Sequence, residues 1–247
     1  MIAVTFALPA ESRDFVRSLR DKSGRDRNGV RTIHGKIGDR AIEVLHTGVG
    51  RKTCLQRLGK FLSAFPAKTP NPRYEQDHQL SCLISAGFAG ALNNDLQIGD
   101  LLVAENFSTV NPGETRASLS GSHIHVANLL TVPALIDSPE ERNKLALTSG
   151  AAAVDMETEF IARACAAGGV PLLSLRVISD TPQNRFPAPA NVLFDIEQQQ
   201  TRMLKLATHL LTHPGRVPHL VQFARRIAHA RRILADGLVE VICSRGR

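Results

Sequence analysis

The sequence predicts an α/β fold in which a sheet is covered by helices on both sides. Short β-rich runs alternate with amphipathic helical stretches along the chain, and several of those runs are apolar on both faces. A 247-residue chain that is 43% hydrophobic can also bury a large core. Because aromatics make up only 4%, with Tyr74 the single tyrosine and no tryptophan, aliphatic side chains must fill it.

"IAVTFA" (2–7) reads as the first strand. The apolar start has no basic region ahead of it and soon meets Glu11, unlike a signal peptide. "AIEVLH" (41–46) is a second strand, followed by the tight turn "TGVGRKT" (47–53) at a helix start. In "RKTCLQRLGKFLSAF" the residues Cys54, Leu55, Leu58, Phe61, Leu62 and Phe65 share one helical stripe. A polar loop at 68–78 leads to the strand "SCLISA" (81–86), and Gly87 and Gly90 then read as a glycine-rich turn. "DLLVAE" (100–105) is a strand and 108–121 a turn-rich connection. "DSPEERNKLAL" starts a helix with Ser138 as N-cap, Pro139 in the first position and Glu141 three residues after the cap. In "AVDMETEFIA" a helix is expected from near Met156, with Phe160, Ile161, Ala164, Cys165 and Gly168 on its core stripe and Asp155 as its cap. "PLLSLRVI" (171–178) is a strand, and "NVLFDIEQQQTRMLKLATHLL" a helix stopped by "HPG" at 213–215.

Several functions are set aside by composition. Cys54, Cys82, Cys165 and Cys243 lie far apart without a CxxC pair, which favours buried thiols in a reducing, cytoplasmic setting over a disulfide frame or zinc site. No run reaches the roughly 18 apolar residues of a membrane span. His123 and His125 share a strand face but lack a third ligand, so they read as surface histidines. Of the formal charge of +7, a net +5 falls in 214–247, where seven arginines face Asp236 and Glu240. Nucleic-acid binding is therefore not expected of the body. The tail aligns Leu220, Phe223, Ile227, Leu234 and Leu238 on one face, which suits a helix packed on its own domain or a second subunit. Peripheral contact with an anionic membrane is the alternative.

Three acids sit at predicted strand ends: Glu11 after 2–7, Asp180 after 171–178, and Glu157 on the inward side of its helix. Ligands of open α/β sheets bind outside the carboxyl ends of strands, so the acids and the glycine turn could converge on one rim. There is no GxSxG elbow, and "TGVGRKT" matches neither the dinucleotide nor the Walker loop. Carboxylate acid–base chemistry without a metal or cofactor is what remains.

Taken together, "TGVGR", "SAGFAGALNNDLQIGD", "AVDMET" and "RVISD", in this order from Met1 to about His213, resemble the nucleoside phosphorylase/nucleosidase superfamily, especially its methylthioadenosine/S-adenosylhomocysteine nucleosidase branch. The stretch 131–157 and the basic tail look closer still to the hopanoid-associated phosphorylase subgroup. The resemblance implies a three-layer αβα domain over 1–213 with a central mixed, largely buried sheet, followed by a basic amphipathic helical extension, 214–247. It further implies cleavage of the N-glycosidic bond of a purine nucleoside, adenine-type, by a homodimer. Asp180 would protonate or hydrogen-bond N7 of the departing base, with Ser179 beside it. Met156 would pack on the sugar, Glu157 would accept from its 2′- and 3′-hydroxyls, and Glu11 would deprotonate the attacking water. Val49, Phe88, Ala89 and Gly90 would line the sugar and nucleophile side.

Phe88 stands where the nucleosidases usually carry a small hydroxyl residue, and "ALIDSPEE" replaces their base-stacking aromatic. Ser85 and Ala86 stand where phosphorylases place an arginine, which favours water as nucleophile. Arg13 and Arg51 could still hold phosphate as co-substrate, leaving phosphorolysis of a purine or lipid-linked nucleoside open. A nucleoside- or nucleic-acid-binding protein without turnover is the non-enzymatic alternative.

Overall fold

Strand β1 (Ile2–Phe6) sits centrally because both of its faces are apolar, and its side chains divide between two cores. Ile2, Val4 and Phe6 enter one core while Ala3 enters the other. The computed structural model describes residues 1–65, 80–121, 123–184 and 217–245, with side chains from 221 onward in the last segment. The loop at 68–78, the helix expected at 191–211 and its stop at 213–215 lie outside the described residues.

The strands are β1, β2 (Arg20–Arg27), β3 (Val30–Ile37), β4 (Arg40–His46), β5 (Cys82–Ala91), β6 (Leu101–Ala104), β7 (Ile124–Ala127), β8 (Leu129–Thr131), β9 (Ala153–Asp155) and β10 (Leu172–Asp180). They form one mixed sheet in the order β2-β3-β4-β1-β5-β10-β6-β7, with β9 paired to β5 and β8 to β9. β4, β1, β5 and β10 run parallel, so their carboxyl ends share one edge.

Helices α1 (Pro9–Ser18) and α6 (Val217–Ser244) cover one face, and α2 (Arg51–Leu62) and α5 (Thr158–Ala167) the other. The sheet is therefore central, mixed and flanked by helices. Short α3 (Pro112–Ala117) and α4 (Pro139–Ser149) complete the described helices. α4 begins as its sequence implies: the Ser138 hydroxyl accepts from the Glu141 N–H and Pro139 is first in the helix.

Several expectations need correction. The Gly87–Gly90 segment is not a turn: β5 continues through it to Ala91. Asp180 is the last residue of β10 rather than a residue beyond it. α5 starts at Thr158, two residues later than expected, because the Asp155 carboxylate takes the Thr158 N–H and hydroxyl and holds 155–157 out of the helix. Phe160 is only half-buried, with the Arg51 guanidinium 5.5 Å from its ring centre. Leu55 faces outward at the edge of the α2 stripe, and Cys243 is exposed while the other three thiols are buried.

In α6 the apolar face deepens toward its end, where Ala230, Leu234, Leu238, Val241 and Ile242 are buried against the sheet. Gly237 lets the helix approach closely, since a Cβ there would sit 2.8 Å from Leu101 Cδ1. Arg231 Nε donates to Asp14 of α1 at 2.6 Å, and Glu240 accepts from the Ser120 N–H at 2.6 Å. No described helix is long and apolar enough to cross a membrane.

Candidate active site

The shared edge of β1, β4, β5 and β10 carries two small clefts that meet at Asp155. The first is walled by Glu11, Glu157, Arg176 and Phe88, with Thr47, Ser85 and Gly87. The second is walled by Asp180, Arg142, Gly90 and Met156, closed over by apolar Val132, Leu135 and Ile136.

Glu11 stands in the first turn of α1 because "LPAE" builds that turn. Pro9 fits the first helical position, and the carboxylate reaches back to the N–H groups of Ala7 at 2.9 Å and Leu8 at 3.2 Å. Burial pushes its pKa up to about 7, against the lowering pull of the Leu8 N–H, the Arg176 charge and the Ala7 N–H. Glu157 sits at the junction before α5 and accepts from the Gly50 N–H at 3.0 Å, across the turn after β4. Burial is also the main cause of its rise to about 8. The Gly50 N–H opposes that rise, and the Asp155 and Glu11 charges reinforce it. Two acids that hold protons near neutrality suit acid–base work.

Arg176, from the middle of β10, is the cation of this cavity and was not singled out from the sequence. Its guanidinium donates to Asp155 through Nε (3.2 Å) and Nη2 (3.1 Å), to the Ser85 carbonyl and Oγ at 2.8 Å each, to Thr158 Oγ1 at 2.5 Å, and to the Leu175 carbonyl at 3.2 Å. All five of its N–H groups thus have acceptors within the protein. The space beside Ser85, empty of arginine in the local sequence, is filled from the neighbouring strand. An isolated Arg within the apolar run "PLLSLRVI" was the available signal.

Asp180 is almost fully buried and paired with Arg142, the one buried residue of α4. Arg142 Nη2 donates to Asp180 Oδ2, Nη1 to the Ala91 carbonyl at 2.8 Å, and Nε to the Ile136 carbonyl at 3.0 Å. Ser179 Oγ donates to Asp180 Oδ1 at 2.7 Å. Gly90 is needed here: a Cβ would lie 2.8 Å from Asp180 Oδ2 and 3.2 Å from Arg142 Nη1.

The other expected site residues divide. Phe88 walls the first cavity, and Met156 and Gly90 wall the second. Ala89, between them on β5, turns its side chain the opposite way into an apolar cluster. Val49 is half-buried in the turn and walls neither cavity. Arg13 and Arg51 are exposed and wall neither. His123 and His125 both face Asp100, with His125 Nε2 at 3.0 Å. Among the described residues no cluster of three or more potential metal ligands occurs.

The fold and this edge define an α/β protein that gathers carboxylates from strand ends and helix starts around two adjoining clefts. The chain belongs to the phosphorylase superfamily, whose sequence model matches residues 1–118 and 114–213. No curated protein matches the chain significantly. Solved structures similar to it include a 5′-methylthioadenosine/S-adenosylhomocysteine nucleosidase of S. pneumoniae with a transition-state inhibitor, at 17% identity and TM-score 0.67, over 98% of this chain and 97% of that one. A futalosine hydrolase mutant of Helicobacter pylori aligns at 16% identity and TM-score 0.68, over 98% of both chains. The 5′-methylthioadenosine/S-adenosylhomocysteine nucleosidase of Neisseria meningitidis, in complex with methylthio-immucillin-A, aligns at 13% and 0.67, again over 98% of both. At these identities the likeness establishes the fold.

Proposed function

We propose that the protein hydrolyses the N-glycosidic bond of a purine nucleoside with an adenine-type base. The observation that carries the choice of water over phosphate is the state of Arg176: among the described residues it is the one cation walling the Glu11 cavity, and each of its N–H groups has an acceptor within the protein. A phosphate dianion there would meet the Asp155 carboxylate and no available guanidinium donor. A neutral water meets no such penalty.

In this reading Glu11 takes the proton of the attacking water, and its value of about 7 suits a base working near neutrality. Glu157 accepts hydrogen bonds from the ribose hydroxyls, which would replace the solvation that burial has removed. Asp180 hydrogen-bonds the departing base from the second cavity, with Ser179 orienting it and Met156 packed against the sugar. The buried acids also stabilise the cationic sugar of the transition state. The likeness to nucleosidases and a futalosine hydrolase supports this assignment.

Base release from adenosine and 5′-methylthioadenosine, with and without phosphate, tests the reading when the sugar product is identified by mass. Free sugar formed equally without phosphate is expected. Sugar 1-phosphate formed only with phosphate would overturn hydrolysis and make the protein a phosphorylase.

A further inference from the structure

Arg142 is an unusual residue to find in the core. It is 1% exposed, it is the only fully buried residue of its helix, and its partner is the acid assigned to the leaving base. Of its five N–H groups, three have acceptors: the carbonyls of Ile136 and Ala91, and Asp180 Oδ2. Two, one on each terminal nitrogen, have none among the described residues. A buried donor without an acceptor is costly, so the arrangement favours a ligand that supplies one.

The geometry beside it is equally specific. Nη1 of Arg142 and Oδ2 of Asp180 lie together over the bare Cα of Gly90, at 3.2 and 2.8 Å from where a Cβ would stand. All three residues wall the second cavity. A strong donor and a strong acceptor are therefore presented side by side to whatever enters. That pattern complements the outer edge of a 6-aminopurine, where N7 accepts and the exocyclic amine donates. A 6-oxopurine presents two acceptors there, and its O6 would face the Asp180 carboxylate. The remaining charged group on this cavity is Asp155, whose oxygens are already engaged by Arg176, Thr131 and Thr158; the other walls are apolar.

Building on the nucleosidase reading above, we propose that Arg142 is a catalytic residue that donates to N7 of the leaving base while Asp180 accepts from its amine. As the C1′–N9 bond breaks, its electron pair passes into the purine. The guanidinium stabilises the charge that gathers on N7, and no proton is drawn from Asp180. Water attacks C1′ and loses its proton to Glu11, which returns it to solvent. The purine anion takes a proton from solvent on release. Both oxygens of Asp180 accept hydrogen bonds in the structure, as this assignment requires.

The test uses bases that cannot be cleaved: 9-methyladenine, its 7-deaza analogue and 9-methylhypoxanthine, with binding measured by calorimetry. Loss of one charge-assisted hydrogen bond corresponds to roughly tenfold to hundredfold in affinity. The wild type and Asp180→Asn should both prefer 9-methyladenine over the 7-deaza compound by about that factor. Asp180→Asn/Arg142→Met, which removes both buried charges together and so avoids stranding either, should lose the preference to about threefold or less. Unchanged preference in the double variant would overturn the proposal. The wild type should also bind 9-methylhypoxanthine at least about tenfold more weakly than 9-methyladenine, and equal binding would overturn the pairing with the amine. Independently of any variant, 9-methyladenine labelled with ¹⁵N at N7 should show no directly bonded proton when bound to the wild type. A one-bond N7–H coupling would assign the proton to Asp180 instead. Failure of the wild type to bind either adenine compound overturns the role of Arg142. Turnover of a nucleoside bearing another base would then leave hydrolysis standing.

Discussion

Two buried arginine–aspartate pairs flank the same stretch of β10, and they are built to different ends. Arg176 with Asp155 is saturated: every guanidinium N–H has an acceptor, and Asp155 is held in addition by Thr131 Oγ1 at 2.8 Å and by the Thr158 N–H and hydroxyl. Arg142 with Asp180 keeps two donors unassigned among the described residues and faces a cavity. Burial alone does not mark a ligand-binding ion pair. The residual hydrogen-bonding capacity does, because an unsatisfied buried group gains most when a ligand completes it.

Breaking the saturated pair from one side should have the largest effect on the fold. Arg176→Met leaves Asp155 buried without its cation and should cost about 3–5 kcal/mol of unfolding free energy, read by urea denaturation. A loss below about 1 kcal/mol would show that the pair is not structural. Asp180→Asn should reverse the pattern: the amide carbonyl still accepts from Arg142, so stability should fall by only about 1–2 kcal/mol while base release slows by about tenfold or more as a charge-assisted acceptor is lost. Full turnover would remove Asp180 from the site.

Glu11→Gln should lower kcat about a hundredfold or more with little loss of substrate affinity. In the wild type kcat/KM should rise with pH through about 7, as Glu11 loses its proton, and that limb should vanish in the variant. A limb that survives would belong to another group. Gly90→Ala forces a methyl group against both partners of the unsaturated pair, and a loss of about 1–3 kcal/mol, with reduced turnover, is expected.

The smallest effect concerns the stability profile. A carboxyl whose pKa is raised on folding favours the folded state fully below its unfolded value of 4.5, and that contribution is lost as pH rises through the folded value. For Glu157 the window runs from 4.5 to about 8. Glu157→Gln should therefore raise the melting temperature more at pH 8 than at pH 4, and equal shifts at both would contradict a buried, proton-holding acid.

The readable parts of the site were those with local signals. Ser138, Pro139 and Glu141 specified the α4 start, and Glu11 and Asp180 lay at the ends of apolar runs that were plain. The hairpin of β2 and β3 escaped because β2 is polar throughout, although Asn28-Gly29, both at positive φ, is a strong local turn signal. Gly87–Gly90 read as a turn because glycine is poor in strands, yet β10 pairs with β5 through Gly90 and β9 takes over the other edge at Gly90 and Ala91.

What the sequence determined by itself was the alternation of strands and helices, the central apolar sheet, and the acids near its carboxyl edge, since periodicity and local capping act within a few residues. It did not reveal which charged side chains are inside. Arg142 in "EERNK" is indistinguishable from its solvated neighbours until β5 and β10 bring Gly90, the Ala91 carbonyl and Asp180 to its helix. Arg176 likewise needs Ser85, Asp155 and Thr158 from three other segments. Only tertiary structure decides such placements, because a buried charge is tolerated by the partners that distant parts of the chain bring to it.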